Sequence, residues 1–243
     1  MPDRPAARTP TPEIIGHRGA PRQRRENTLA AFARALELGA DAIELDVHAT
    51  ADGVVVVHHD PVLGGEARSL AGRPIAALNA ADVQGGDGAA ETRIPTLDEV
   101  LGLVGDRATV YVEIKGVGIE QRVVDAIARA AGVRCAVHAF DHRAARRARE
   151  LSAALPSGVL PAGILLVSRL VDPVAALRAV GARDLWQHWE LLDAELVRSV
   201  HEAGGRVIAW TVNDPAVAAE FARFGVDGIC TDVPDVMAAA LRR

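Results

Sequence analysis

Eight times along the chain, a short apolar run rich in β-branched residues gives way to a stretch with helical spacing and helix punctuation. The runs fall at about 13–17, 41–47, 109–114, 134–140, 162–167, 183–188, 206–212 and 227–231. Strands that alternate with helices pair in parallel, and eight such units are what a closed (β/α)8 TIM barrel requires. A doubly wound open sheet is the alternative. It fits less well, because no glycine-rich phosphate loop follows the first run.

The helical stretches carry their own boundaries. Asn27 or Thr28 caps LAAFARALEL, which stops at Gly39, and Thr96 and Glu99 have capping-box spacing ahead of VLGLV. Asp172-Pro173 and Asp214-Pro215 open helices closed by Gly181 and Gly225, and Pro234 opens the last. Between His59 and Pro95 the rhythm breaks into Gly64-Gly65, Gly85-Gly86 and Gly88 among polar residues. This predicts a small insertion over about 60–95, after the second strand, where a long loop commonly walls a site. Residues 1–12, rich in proline, read as a disordered tail, and 13–243 as one barrel domain.

At 243 residues the chain buries enough surface to need no staple. Cys135 and Cys230 lie in separate apolar runs and read as small buried hydrophobes. A formal net charge of -5 gives no electrostatic footprint for nucleic acid or an anionic membrane. With no segment of transmembrane length and no secretory h-region, the expectation is a soluble cytoplasmic protein without stable membrane insertion.

The chemistry concentrates in residues 42–61, AIELDVHATADGVVVVHHDP, which read as a hairpin with Asp52-Gly53 at its turn. A two-residue loop pairs Ala51 with Val54, and counting back places Asp46 opposite His59 with Glu44 on the same face. Other strand ends add Gly16-His17-Arg18-Gly19, Glu113-Ile114-Lys115, His138-Ala139-Phe140, Gln187-His188-Trp189 and Trp210-Thr211. Barrel active sites collect at such C-terminal strand ends. Glu44, Asp46 and Glu113 form an all-oxygen set suited to Mg2+, Ca2+ or Mn2+ rather than zinc. Arg18 and Lys115 supply positive charge for an anionic substrate. Two imidazoles beside a metal and two cations describe phosphoryl chemistry with general acid and base. His138 and His188 read as core histidines that satisfy a backbone partner, and Trp210 as either a substrate wall or a packing residue.

The strings GHRGAPRQRRENTLAAF, ELDVHATADGVVVVHHDP, PTLDEVL, VEIKG, WTVND and GVDGICTDVPD together resemble the glycerophosphodiester phosphodiesterase family over nearly the whole chain. That resemblance implies a (β/α)8 barrel that hydrolyses glycerophosphodiesters to glycerol 3-phosphate and an alcohol. It implies a catalytic pair His17 and His59, a phosphate-contacting Arg18 and a substrate-binding Lys115. It also implies Glu44, Asp46 and Glu113 as metal ligands. The chain departs from the family pattern at Arg25, where proline is usual before Glu-Asn-Thr, and at Ala139-Phe140, where Ser-Phe is common. Two other readings stand beside this one: a phospholipase D-like or sphingomyelinase D-like activity on lysolipids, and a non-catalytic barrel that binds phosphodiesters.

Overall fold

Parallel strands cannot be joined by tight turns and need a covering connection between them. In the computed structural model, which describes residues 11–64, 70–85, 93–130 and 132–242, helices supply most of those connections. The order is β1 (Glu13–His17), α1 (Leu29–Glu37), β2 (Ala42–Ala49), β3 (Val55–Val57), α2 (Ala80–Gln84), α3 (Leu97–Val104), β4 (Thr109–Ile114), α4 (Glu120–Arg129) and β5 (Arg134–Ala139). It continues with α5 (His142–Leu151), β6 (Ala162–Leu166), α6 (Pro173–Val180), β7 (Asp184–His188), α7 (Ala194–Glu202), β8 (Arg206–Trp210), α8 (Pro215–Phe224), β9 (Gly228–Thr231) and α9 (Pro234–Leu241).

The sheet runs β1-β9-β8-β7-β6-β5-β4-β2, and an additional β1–β2 pairing closes it into a barrel. Every one of those pairings is parallel, and β3 lies antiparallel on β2. The closure excludes the open doubly wound sheet. Alternation along each strand then builds two cores. Ile15, Ala42, Tyr111, Ala136, Leu165, Trp186, Ile208 and Cys230 fill the barrel interior, one from each strand. Their neighbours Ile14, Ile43, Val110, Val137, Ile164, Leu185, Val207 and Ile229 belong to the larger core shared with the helices.

The helix signals act as the sequence predicts. Thr28 accepts from the Ala31 amide, Thr96 and Glu99 form a capping box, and Asp172 and Asp214 cap α6 and α8 ahead of their prolines. Gly181 and Gly225 close those two helices at φ of 67° and 88°, a region L side chains avoid.

The hairpin register differs from the expectation by one residue. Val47 pairs with Val57 and Ala49 with Val55, so Asp46 lies opposite His58, whose amide donates to the Asp46 carbonyl at 3.0 Å. The cause is Thr50. Its amide donates to the Val54 carbonyl at 3.0 Å. Its hydroxyl accepts from the Val54 amide at 3.0 Å and donates to Asp52 Oδ1 at 2.6 Å. The loop is therefore the three residues Ala51 to Gly53, with Gly53 at φ 88°. A one-residue slip sends alternate side chains to opposite faces, so strand pairing does not deliver His59 to the site. The chain bends after Val57 and brings it there.

Beyond β3, the insertion packs Val56, Leu63, Ile75, Leu78, Val83 and Ile94 into a small core of its own. Residues 65–69 and 86–92 of the expected insertion, and residues 1–10 of the expected tail, lie outside the described residues. No helix among the described residues is long and apolar enough to cross a membrane.

Candidate active site

Register places polar side chains around the top of the barrel interior. His17 stands beside Glu44 across β1 and β2, Asp46 beside Glu113 across β2 and β4, and Glu113 beside His138 across β4 and β5. A cavity of about 130 Å³ opens there, at the C-terminal ends of the strands. Its lining includes His17, Arg18, Glu44, His59, Glu113, Lys115 and Trp210, all anticipated from sequence, together with His138 and Phe140. Asp46, 1% exposed, lies behind this lining.

Asp46 is the most heavily partnered acid of the group. Its Oδ2 accepts from Asn27 Nδ2 at 2.8 Å and lies 3.2 Å from Arg18 Nε, while its Oδ1 lies 3.5 Å from Lys115 Nζ. Burial works against the Asp46 charge, but Arg18, Lys115 and Asn27 together hold its carboxyl below the usual range. Lys115 Nζ also donates to Glu113 Oε1 at 3.0 Å. Glu113 is nevertheless pushed up to about 7, by burial first and then by the charges of Asp46 and Glu44. Three acids with two cations among them leave a site short of positive charge. Ligand atoms of Glu44, Glu113 and His138 all lie within 4.8 Å of one another, and His138 has no hydrogen-bond partner at either ring nitrogen. A divalent cation fits that donor set and that deficit.

Arg18 turns the chain at the end of β1 with φ 53°, and Asn27 adopts φ 56°. Asn tolerates this left-handed region, whereas arginine is uncommon in it. Contacts on both sides fix the turn. The Arg18 amide donates to Glu44 Oε2 at 3.2 Å and its carbonyl accepts from the Asn27 amide at 3.1 Å. The guanidinium is held by Glu26 Oε1 at 2.9 Å and by Asp46. Glu26, which by sequence could either orient a neighbour in the mouth or simply start a helix, holds Arg18.

Both histidines of the expected pair carry a carboxylate at Nδ1. His17 meets Asp232 Oδ1 at 2.8 Å, and His59 meets Asp60 Oδ1 at 2.7 Å. Asp232 is itself fixed by Asn213, whose Nδ2 donates to Oδ2 at 2.8 Å and whose Oδ1 accepts the Asp232 amide at 2.9 Å. Burial opposes protonation of His17, yet its bond to Asp232 and the nearby Glu44 charge raise its pKa above the ordinary value. Burial is the largest influence on Asp232 and raises its pKa, but the bond and charge of His17, the Asn213 bond and the Arg22 charge together lower it. An ionised carboxylate only accepts, so the proton of the His17–Asp232 bond sits on Nδ1 and leaves Nε2 as the basic nitrogen.

Trp210 forms part of an aromatic rim. It meets Phe140 and His188 edge to face, each at 5.5 Å between ring centroids, and Lys115 Nζ lies 5.7 Å over the Phe140 ring. A larger cavity of about 1130 Å³ opens at the opposite, N-terminal ends of the strands. There Arg183 and Arg206 are engaged by Asp184 and Glu13. Sequence reasoning missed Asp232 and Asn27 and took His138 for a core residue. The signals for the first two are TDVPD and ENT, polar residues beside a strand end and a helix cap.

Fold and site together are those of a (β/α)8-barrel enzyme, with two histidines and a buried group of possible metal ligands at the C-terminal mouth of the barrel. The sequence model of the Glycerophosphoryl diester phosphodiesterase family matches residues 17–236, and the chain belongs to that family. It is 34% identical over 243 residues to a glycerophosphodiester phosphodiesterase of Caldanaerobacter subterraneus subsp. tengcongensis, covering 95% of this chain and 98% of that protein. A glycerophosphodiester phosphodiesterase of Bacillus altitudinis is 30% identical, with 92% and 95% covered. The crystal structure of glycerophosphodiester phosphodiesterase from Thermotoga maritima superposes with a TM-score of 0.78 at 26% identity, covering 96% of this chain and 98% of that one.

Proposed function

We propose that the protein hydrolyses glycerophosphodiesters to glycerol 3-phosphate and an alcohol, using His17 and His59 as the proton-transfer pair. The observation that carries this reading is the pair of imidazoles, each aligned by a carboxylate, on one small cavity with the acid cluster and two cations. A binding site has no need of two such groups; an in-line displacement at phosphorus does.

Arg18 and Lys115 hold the substrate phosphate, the guanidinium by its planar fork. Glu44, Asp46 and Glu113 hold the divalent cation, with Mg2+, Ca2+ or Mn2+ as the ion. When bound, the cation supplies Lewis-acid stabilisation of charge on the phosphoryl oxygens. One imidazole takes the proton of the attacking oxygen as the new P–O bond forms, that oxygen belonging either to water or to a neighbouring glycerol hydroxyl whose cyclic phosphate water then opens. The other gives a proton to the alcohol oxygen as the old bond breaks. Asp232 and Asp60 keep each ring in the tautomer that leaves Nε2 for transfer. Trp210 and Phe140 wall the glycerol side. The small-molecule substrate calls for neither nucleic acid nor membrane insertion, and the two buried free cysteines fit a reducing cytoplasmic setting.

The test is release of glycerol 3-phosphate from glycerophosphocholine, glycerophosphoethanolamine and glycerophosphoglycerol, run beside lysophosphatidylcholine. Metal-dependent release from the three water-soluble diesters supports the proposal. Turnover of the lysolipid alone replaces it with a phospholipase D-like activity. Binding of the diesters without any turnover replaces it with a non-catalytic barrel.

A further inference from the structure

His138 is 1% exposed, and both of its ring nitrogens lack a hydrogen-bond partner. Buried polar atoms are nearly always satisfied, and one left without a partner loses its hydration with nothing in exchange. A histidine kept only for packing leaves that loss uncompensated. Its Nε2 points at the acid cluster and lies 3.6 Å from Glu44 Oε1, too far for a hydrogen bond.

The separation suits donors around a shared ion better. Donors at about 2.0–2.2 Å from one cation lie up to about 4.4 Å apart. The ligand atoms of Glu44, Glu113 and His138 are all within 4.8 Å of one another, close enough that small side-chain movements bring them to a shared ion.

The ring is also held in place by contacts that leave its nitrogens alone. Trp186 meets it edge to face at 4.3 Å, and Tyr111 lies parallel to it at 6.4 Å. Gly163 is its cross-strand partner. A Cβ there would come within 3.1 Å of His138 Cβ and 3.0 Å of Trp186 Cδ1, so only glycine leaves room for both rings.

We propose that His138 Nε2 is a nitrogen donor to the divalent cation held by Glu44 and Glu113, so that the site favours an imidazole-accepting ion such as Mn2+ over Ca2+. The inference rests on the metal site of the proposed function, and its test reads metal binding rather than turnover. Hard all-oxygen sets suit Mg2+, Ca2+ and Mn2+ alike, and adding an imidazole separates them, because the first-row ions from Mn2+ onward gain progressively more from a nitrogen donor than Ca2+ does.

Mn2+-loaded protein, prepared by chelation and reloading, is examined by pulsed electron paramagnetic resonance for 14N coupling to the ion. The expected result is a directly bound nitrogen in the wild type that is absent in His138→Gln. Calorimetry of the same two proteins should show Mn2+ affinity reduced about tenfold or more in the variant, with Ca2+ affinity changed by less than about threefold. If the variant fails to fold, coupling that persists in both His17→Ala and His59→Ala assigns the nitrogen to His138, and coupling lost in either overturns the assignment. Mn2+ bound without nitrogen coupling, or coupling that survives in His138→Gln, overturns the assignment and leaves the metal site standing. Failure of Mn2+ to bind at all overturns both.

Discussion

His17 Nδ1 meets Asp232 Oδ1 at 2.8 Å although 215 positions separate the two residues. The bond ties the end of the first barrel strand to the residue that follows the last one, across the seam where β1 meets β9. Barrel closure thus aligns the His17 ring, and Asn213 aligns the aspartate in turn.

Replacing that aspartate tests the link. Asp232→Asn removes the strongest interaction that raises the His17 pKa and leaves Glu44 in place, so the histidine should titrate lower than in the wild type and kcat should fall at least tenfold. The raised folded pKa means that the pair's stabilising contribution is fully present below about pH 6.5 and is lost as pH rises through the folded value. The variant's stability deficit should therefore be larger at pH 5.5 than at pH 8.5. Histidine NMR titration and pH-resolved denaturation measure both, and an unshifted His17 contradicts the role.

Removing either imidazole should lower kcat by about 10²- to 10⁴-fold, the usual worth of a proton-transfer group. His17→Ala and His59→Ala should both show it in steady-state kinetics, while metal affinity measured by calorimetry stays within about threefold. Near-normal turnover in one variant removes that residue from the mechanism.

Glu113, pushed up to about 7 in the folded chain, gives a stability signature of opposite sign to an ordinary acid. The folded state holds a proton that the unfolded state releases near pH 4.5, so metal-free stability should fall as pH rises from there to about 7. The full deficit above that window is about 3 kcal/mol. Glu113→Gln, measured metal-free by scanning calorimetry, should match the wild type at pH 5 and melt several degrees higher at pH 8. Added metal should stabilise the wild type and not the variant. A lower melting temperature for the variant at pH 8 contradicts the charge deficit.

Gly19 holds the turn after His17 and Arg18 at φ 92°, and a Cβ there would lie 2.6 Å from the Ala31 carbonyl carbon. Gly19→Ala should cost more than about 2 kcal/mol by urea unfolding, through both backbone strain and the clash with α1. Gly72, at φ 79° with nothing within 4 Å of the same position, isolates the backbone part, and Gly72→Ala should cost only about 1 kcal/mol. Equal losses at the two sites would rule out the steric share.

Local signals made most of the fold legible. Thr28, Thr96, Asp172 and Asp214 cap their helices because capping depends on residues within one turn, and β-branched runs separated by helices permit few topologies. The hairpin register was not legible, because Thr50 competes for the turn with its own hydroxyl and lengthens the loop by one residue. His59 still reaches the mouth, by a bend rather than by pairing. Asp232 was present in a quoted motif, but its role depends on closure of the barrel, which no local pattern encodes. His138 looked like a core residue because burial is visible in a strand pattern, while the absence of any partner for its nitrogens appears only in three dimensions.

The most direct measurement of the central claim is 31P NMR of glycerophosphocholine incubated with purified wild-type protein, first with chelator and then with Mn2+ or Mg2+ restored and afterwards removed for detection. The expected result is no change with chelator, and conversion of the diester resonance to that of glycerol 3-phosphate once metal is supplied. A diester resonance that persists with metal bound to a folded protein, or that converts equally in chelator, contradicts it.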